Sequence, residues 1–181
     1  MEEATQRQKL FREFSHVNAY PKSAPQTFDA VVVLSAEEVE VEGENKQRID
    51  AGLNLIREIK KNGAMIFLGT TGHIKCLKNY LGKQKSNFSL FFPTKRPHES
   101  SRTQIRGLAD FLKKKPFSNI LVVSHAYHIL RIKRYCAKYL IGQKYDFYPV
   151  GQIKKQTRQL EGEIEKIIKY AQKGDLPLFC K

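Results

Sequence analysis

Four short, largely apolar runs, each separated from the next by a stretch of helical period, constrain this chain more than any other feature. Phe28 to Leu34 (FDAVVVL), Ala64 to Leu68, Phe88 to Phe92 and Asn119 to Val123 (NILVV) are too short for helices. They read as strands, and the first, a β-branched apolar run, as a buried one. Between them, residues 45–61 place Ile49, Leu53, Ile56 and Ile59 on one face and stop at Asn62-Gly63. A second helix is expected from near His73 to Leu81-Gly82, and a third over Ser101 to Lys114 with Ile105, Leu108, Ala109 and Leu112 turned inward. After the fourth strand come a helix over 126–140, a weaker fifth strand at Lys144 to Tyr148, and a last helix at Thr157 to Gln172. That last helix carries its stripe on Leu160, Ile164, Ile167, Ile168 and Ala171. This alternation predicts an α/β fold: a doubly wound, mostly parallel five-stranded sheet with helices on both faces, three-layered and Rossmann-like. A helix over 5–17, striped by Leu10, Phe11, Phe14 and Val17, precedes it with a polar, proline-bearing linker. The expected division is therefore 1–27 and 28–181.

Composition narrows the function classes. With 181 residues and 41% hydrophobic content the chain can bury a core, and no apolar run approaches the roughly 18 residues needed to cross a bilayer. The acidic, polar start Met1-Glu2-Glu3-Ala4-Thr5 is unlike a secretory signal. Cys76, Cys136 and Cys180 are odd in number and too widely spaced for a C-x-x-C motif. They read as reduced thiols of a cytoplasmic protein without disulfides. The net charge is +14, and it is uneven: residues 102–181 hold 17 basic and 6 acidic side chains, the first 101 hold 15 and 12. That asymmetry makes nucleic acid a candidate partner, against the simpler reading of a solvated lysine-rich surface.

In open α/β sheets ligands bind beyond the carboxyl ends of the strands, so the four strand-end loops hold the candidate chemistry. The first, Ser35 to Glu44, has no G-x-G-x-x-G turn and carries five glutamates, which argues against a dinucleotide site there. The second, Gly69-Thr70-Thr71-Gly72-His73, sets small residues and hydroxyls at a helix start, where amides and the helix dipole favour an anion. The third holds Glu99, Ser101 and Arg102; Ser101 with Gln104 fits a capping box, which leaves Glu99 and Arg102 without a capping duty. The fourth holds Ser124, His125, His128 and Arg131. His128 and Arg131, three apart, share the first-turn face of a helix with Ser124 beside them, a hydroxyl–imidazole–guanidinium trio suited to a phosphate or carboxylate. His128 is the candidate for proton transfer near neutral pH. The histidines lack a ligand cluster, so no metal is expected.

The segment from Val122 to Arg131 resembles the V-T-x-x-Y-H-x-x-R signature of the bacterial YdcF/SanA/ElyC-like domain family. Asp29 to Leu34 resembles that family's first strand, Arg48 to Leu53 its R-x-x-x-A-x-x-L helix with a shortened spacing, and Glu99 with Ser101-Arg102 its E-x-S-R-x-T segment. The resemblance spans roughly residues 28–176. The chain departs from it at Ser35-Ala36 and Thr70-Thr71, where the family usually has glycine pairs, and at Thr103-Gln104 and Arg106-Gly107. The resemblance implies a Rossmann-like domain with links to envelope biology, S-adenosylmethionine binding in at least one relative, and no settled reaction. Many relatives carry a membrane anchor, which is not expected here.

Together these observations predict a site at the carboxyl edge of the sheet. His128 is its candidate catalytic group, and Ser124, Arg131, Arg102, Glu99, Ser101, Gly69, Thr70 and Arg48 are its candidate ligand contacts. Ser124, His128, Arg131, Arg102 and Glu99 are expected to converge in one pocket. Arg131, as a ligand contact, is expected to be dispensable for stability. Three readings stay open: binding of a small anionic or nucleotide-type ligand, with or without transferase or hydrolase turnover; nucleic-acid binding through the basic half; or a degenerate interaction module.

Overall fold

The computed structural model describes residues 2–17, 20, 25–59, 63–82, 88–93, 100–152 and 157–179. Five strands form one wholly parallel sheet: β1 (Ala30–Leu34), β2 (Ala64–Leu68), β3 (Ser89–Phe91), β4 (Asn119–His125) and β5 (Lys144–Val150), in the order β3-β2-β1-β4-β5. Six α-helices accompany it among the described residues: α1 (Glu2–Ser15), α2 (Gly43–Glu58), α3 (Thr71–Leu81), α4 (Ser101–Lys114), α5 (Ala126–Tyr139) and α6 (Thr157–Gln172). The fold is the expected three-layer, Rossmann-like α/β arrangement. No helix among the described residues is long and apolar enough to cross a membrane.

The two faces of the sheet follow from the strand period of two. Ala30, Val32, Leu34, Ile66, Leu68, Ile120 and Val122 join a core with Ile105 and Leu108 of α4, Ile129 and Ile132 of α5, and Ile164 and Ile167 of α6. The intervening Val31, Val33, Met65, Phe67, Leu121 and Val123 face Ile49, Leu55 and Ile56 of α2 and Leu77 of α3. Each such side chain, taken fully from water, contributes about 1.5–3 kcal/mol. α2 lies close enough to β1 that a Cβ on Gly52 would stand 2.5 Å from Val33 Cγ2. Leu10 and Phe14 of helix α1 and Val17 just after it share the first core, while Phe11 of the expected stripe is exposed. Arg134 of α5, fully buried, fastens both chain ends. Its Nη2 donates to Glu13 Oε2 at 2.9 Å and its Nε to Leu178 O at 2.9 Å.

Two boundary differences matter for the site. β4 extends past Val123 to His125, and β5 past Tyr148 to Val150, because the two strands pair in register through Ser124↔Pro149 and His125↔Val150. The cap of α4 is Ser100 rather than Ser101. Ser100 Oγ accepts the Thr103 amide at 3.3 Å, and Thr103 Oγ1 accepts the Ser100 amide at 3.2 Å. Ser101 therefore begins the helix with its hydroxyl released from capping. The expected stop at Asn62 and the linker residues 21–24 lie outside the described residues.

Candidate ligand site

The sheet reverses direction between β1 and β4, and the crevice beyond their carboxyl ends is where such sheets take ligands. The two extra residues of β4 point to opposite faces there. Ser124 turns toward the α4–α5 layer and His125 toward α2, so one strand end supplies both halves of a polar cluster.

In the first half, His128 lies between two hydroxyls, Nδ1 at 3.0 Å from Ser124 Oγ and Nε2 at 3.0 Å from Ser101 Oγ. Ser124 is fully buried, and His128 Nδ1 is its hydroxyl's hydrogen-bond partner among the described residues. Were Ser124 Oγ to accept a proton from Nδ1, its own O–H would be stranded at a cost of about 1–3 kcal/mol. Ser124 therefore donates to Nδ1, and Nε2–H donates to the half-buried Ser101 Oγ. Arg131 Nη1 adds a second donor to the same oxygen at 3.3 Å. Burial foremost, then the nearby Arg131, Arg48 and Lys166 cations, hold the His128 pKa well below the ordinary histidine value. A pKa lowered in this way favours the neutral imidazole at neutral pH.

In the second half, Arg48, only 2% exposed, donates from Nε to His125 Nδ1 at 2.8 Å. It also donates from Nη1 to Ser35 O at 2.9 Å and from Nη2 to Glu44 Oε2 at 3.1 Å. Because Nδ1 of His125 accepts, its Nε2 carries the proton and donates to Gln47 Oε1 at 3.0 Å. Burial and then the Arg48 charge push His125 down to about 3. Burial also lowers the Arg48 pKa, against the pull of Tyr127 and Glu44. Tyr127 spans the halves: its ring lies 5.8 Å from His125 and 6.1 Å from His128, and its Oη donates to Glu44 Oε2 at 2.7 Å. Gln104 of α4 adds a further tie, donating to Ser35 Oγ at 3.0 Å.

The structure thus gathers Ser101, Ser124, His128, Arg131 and Arg48 at the crevice. Arg102, Gly69 and Thr70 have other partners. Arg102 turns away, donating from Nε to Tyr139 Oη at 3.1 Å and pairing with Asp175 at 2.5 Å. Tyr139 ends α5, about 16 Å along that helix from His128. Gly69 and Thr70 serve the loop itself. Thr70 Oγ1 lies 2.7 Å from His73 Nδ1 and caps α3, and His73 Nε2 reaches Ala36 O at 3.1 Å. A Cβ on Gly69 would lie 2.8 Å from His73 Cβ. Glu99 lies outside the described residues.

Arg131 has a second duty that local sequence did not reveal. Its Nε and Nη2 grip Glu163 of α6 at 2.6 and 3.1 Å, with Glu163 only 1% exposed and Lys166 also on it at 3.1 Å. Burial opposes the Arg131 charge, yet Glu163 leaves its pKa raised. The guanidinium is thus structural as well as site-facing, which corrects the expectation that it is dispensable for stability. Glu163 was legible in principle: it is a carboxylate inside the apolar stripe, three residues after Leu160 and one before Ile164. Glu44, Gln47 and Tyr127 were not singled out; Tyr127 lies within the motif around His128, and Glu44 sits four residues before Arg48, the spacing of a helical ion pair.

Among the described residues no group of three His, Cys, Asp or Glu side chains could hold a metal ion. Cys76 is a half-buried free thiol, Cys136 is buried, and Cys180 is outside the described residues. The class that fold and site define is a parallel α/β domain with a buried polar cluster at its topological switch point. No protein-family model, curated protein or solved structure matches the chain.

Proposed function

We propose that this protein binds a small anionic ligand, phosphate- or carboxylate-bearing and of nucleotide type, in the crevice between the ends of β1 and β4. The observation that carries the reading is Ser101 Oγ. It is a half-buried hydroxyl at the electropositive start of α4 that receives N–H donors from both His128 and Arg131. An oxygen so placed keeps its own proton free for an incoming acceptor, and the same two donors lie within reach of a ligand anion. His128 acts here as a neutral donor, so binding needs no proton exchange at neutral pH. S-adenosylmethionine, brought in by the family resemblance, belongs to the test set through its carboxylate.

Thermal-shift titrations with phosphate, nucleotides and S-adenosylmethionine on wild type and Ser101→Ala test the reading. Wild type is expected to gain stability with at least one of them. The alanine variant is expected to bind about 10–100-fold more weakly, the equivalent of a charge-assisted hydrogen bond of roughly 1.5–3 kcal/mol. No shift with any of them would sink it.

A second reading, nucleic-acid binding, is favoured by the net charge of +14 and the run Lys113-Lys114-Lys115. That run closes α4 about 20 Å from Ser101, so it belongs to a different surface from the crevice. Neutralising those three lysines would lower a salt-sensitive RNA or DNA affinity and leave small-anion binding unchanged. Lys154 and Lys155 of the basic half lie outside the described residues.

A further inference from the structure

Helices α3 and α4 begin with capping boxes, but α2 and α5 do not. Glu42 before α2 and His125 before α5 make no side-chain cap hydrogen bond. The amide ends of α2 and α5 are thus left without the side-chain acceptor that usually satisfies them. Into this place comes a carboxylate from the protein itself. Glu44, in the first turn of α2, accepts Tyr127 Oη at 2.7 Å and Arg48 Nη2 at 3.1 Å, both on Oε2. Oε1 has no hydrogen bond among the described residues.

The donors differ in how they are held. Arg48 spends Nε on His125 and Nη1 on the carbonyls of Ser35 and Leu34, leaving Nη2 as the nitrogen directed at Glu44. Arg48 is 2% exposed, whereas the Glu44 side chain is 30% exposed. The guanidinium is therefore fixed in the wall, and the carboxylate stands at the mouth with solvent on its outer side. Burial and the Glu44 bond raise the Tyr127 pKa, so its phenol remains a donor.

We propose that Arg48, Tyr127 and the first turns of α2 and α5 form an oxyanion subsite in which Glu44 stands in for the ligand, and that a carboxylate or phosphate enters by displacing it. This rests on the reading that the crevice takes an anionic ligand, and it identifies the donors that receive the charged end. Displacement is favourable because Glu44 engages the donors through a single oxygen. A phosphate, or a carboxylate using both oxygens, offers more acceptors to Arg48, Tyr127 and the uncapped amides. The resident carboxylate also selects: a neutral molecule has nothing with which to replace it.

The test uses the full chain with Glu44→Ala, titrated with sodium phosphate and, separately, sodium acetate by calorimetry and thermal shift at matched ionic strength. The variant is expected to bind at least one oxyanion at least tenfold more tightly than wild type, since no side chain competes. Tyr127→Phe added to Glu44→Ala is expected to reverse most of that gain. Gain with acetate alone assigns the subsite to carboxylates, and gain with phosphate alone to phosphates. If Glu44→Ala does not fold, Glu44→Gln keeps the bulk without the charge and is expected to bind severalfold more tightly than wild type. A folded variant that binds neither anion more tightly overturns the proposal. The parent reading fails separately: gain in Glu44→Ala with no ligand shift in wild type leaves the subsite standing and removes the proposed function. A wild-type shift lost in Ser101→Ala, with no gain in Glu44→Ala, does the reverse.

Discussion

Arg131→Ala removes one partner of an ion pair whose other partner cannot reach water. Glu163 is 1% exposed and accepts three hydrogen bonds, two from Arg131 at 2.6 and 3.1 Å and one from Lys166 at 3.1 Å. Breaking a buried pair by deleting one member costs about 3–5 kcal/mol, because the survivor is left charged and dehydrated. Lys166 is half exposed and stays in place, so the lower end applies, about 3 kcal/mol. With a urea m-value of about 2 kcal/mol/M for a small protein, the unfolding midpoint should fall by about 1.5 M. Replacing both partners, Arg131→Met with Glu163→Met, should recover all but about 1 kcal/mol, since a buried pair is often matched by apolar side chains of similar volume. Adding Lys166→Ala to Arg131→Ala should deepen the loss. Equilibrium urea denaturation at pH 7 with far-ultraviolet circular dichroism reads each value. An Arg131→Ala midpoint within 0.2 M of wild type, about 0.4 kcal/mol, would refute the reasoning and return this residue to a purely ligand-facing role.

Three further outcomes are expected. His125 titrates at about 3 when folded against 6.5 as its ordinary value, and His128 is shifted the same way. For His125, stability should therefore be complete above pH 6.5 and fall as pH drops toward 3, by about 1.4 kcal/mol per pH unit, with His128 adding to the loss in the same direction; a flat urea midpoint between pH 7 and 5 would contradict this. Ser100→Ala should cost about 1 kcal/mol through the lost cap of α4, whereas Ser101→Ala keeps the cap but strands the His128 Nε2–H, at about 1–3 kcal/mol; a Ser101→Ala variant as stable as wild type would contradict the bond to His128. Gly52→Ala gains roughly 0.8–1 kcal/mol of helix propensity but drives a methyl to 2.5 Å from Val33 Cγ2; overpacking costs about 1–3 kcal/mol, so net destabilisation in thermal melts is the expected sign.

The layers of the molecule were readable because the information for them is local. AVVVL, AMIFL and ILVV are apolar on both faces within a few residues, and a strand covered from both sides accommodates that. The stripe of Ile105, Leu108 and Leu112 likewise states which side of α4 faces the sheet, and all three are buried. Strand ends were less readable: Ser124 and His125 belong to β4 only because β5 pairs with them, and that partner lies twenty-five positions away.

The site divides along the same line. That His128 and Arg131 share one face at a helix start, with Ser124 at the strand end beside them, followed from their spacing, because residues three apart lie on one helical turn. Which of two adjacent serines caps α4 did not follow, since both precede a polar residue at the right interval; the structure gives the cap to Ser100 and places Ser101 on His128, twenty-seven positions away. Nor could spacing show that Arg131 grips Glu163, that Arg102 reaches Asp175 instead of the crevice, or that Arg48 and Tyr127 meet on Glu44. Burial direction is written in the period of the chain, because each residue's side of a helix or strand depends only on its neighbours. The choice of a hydrogen-bond or charge partner depends on distances of about 3 Å between elements remote in sequence, and those distances exist only after the sheet and its helices have packed.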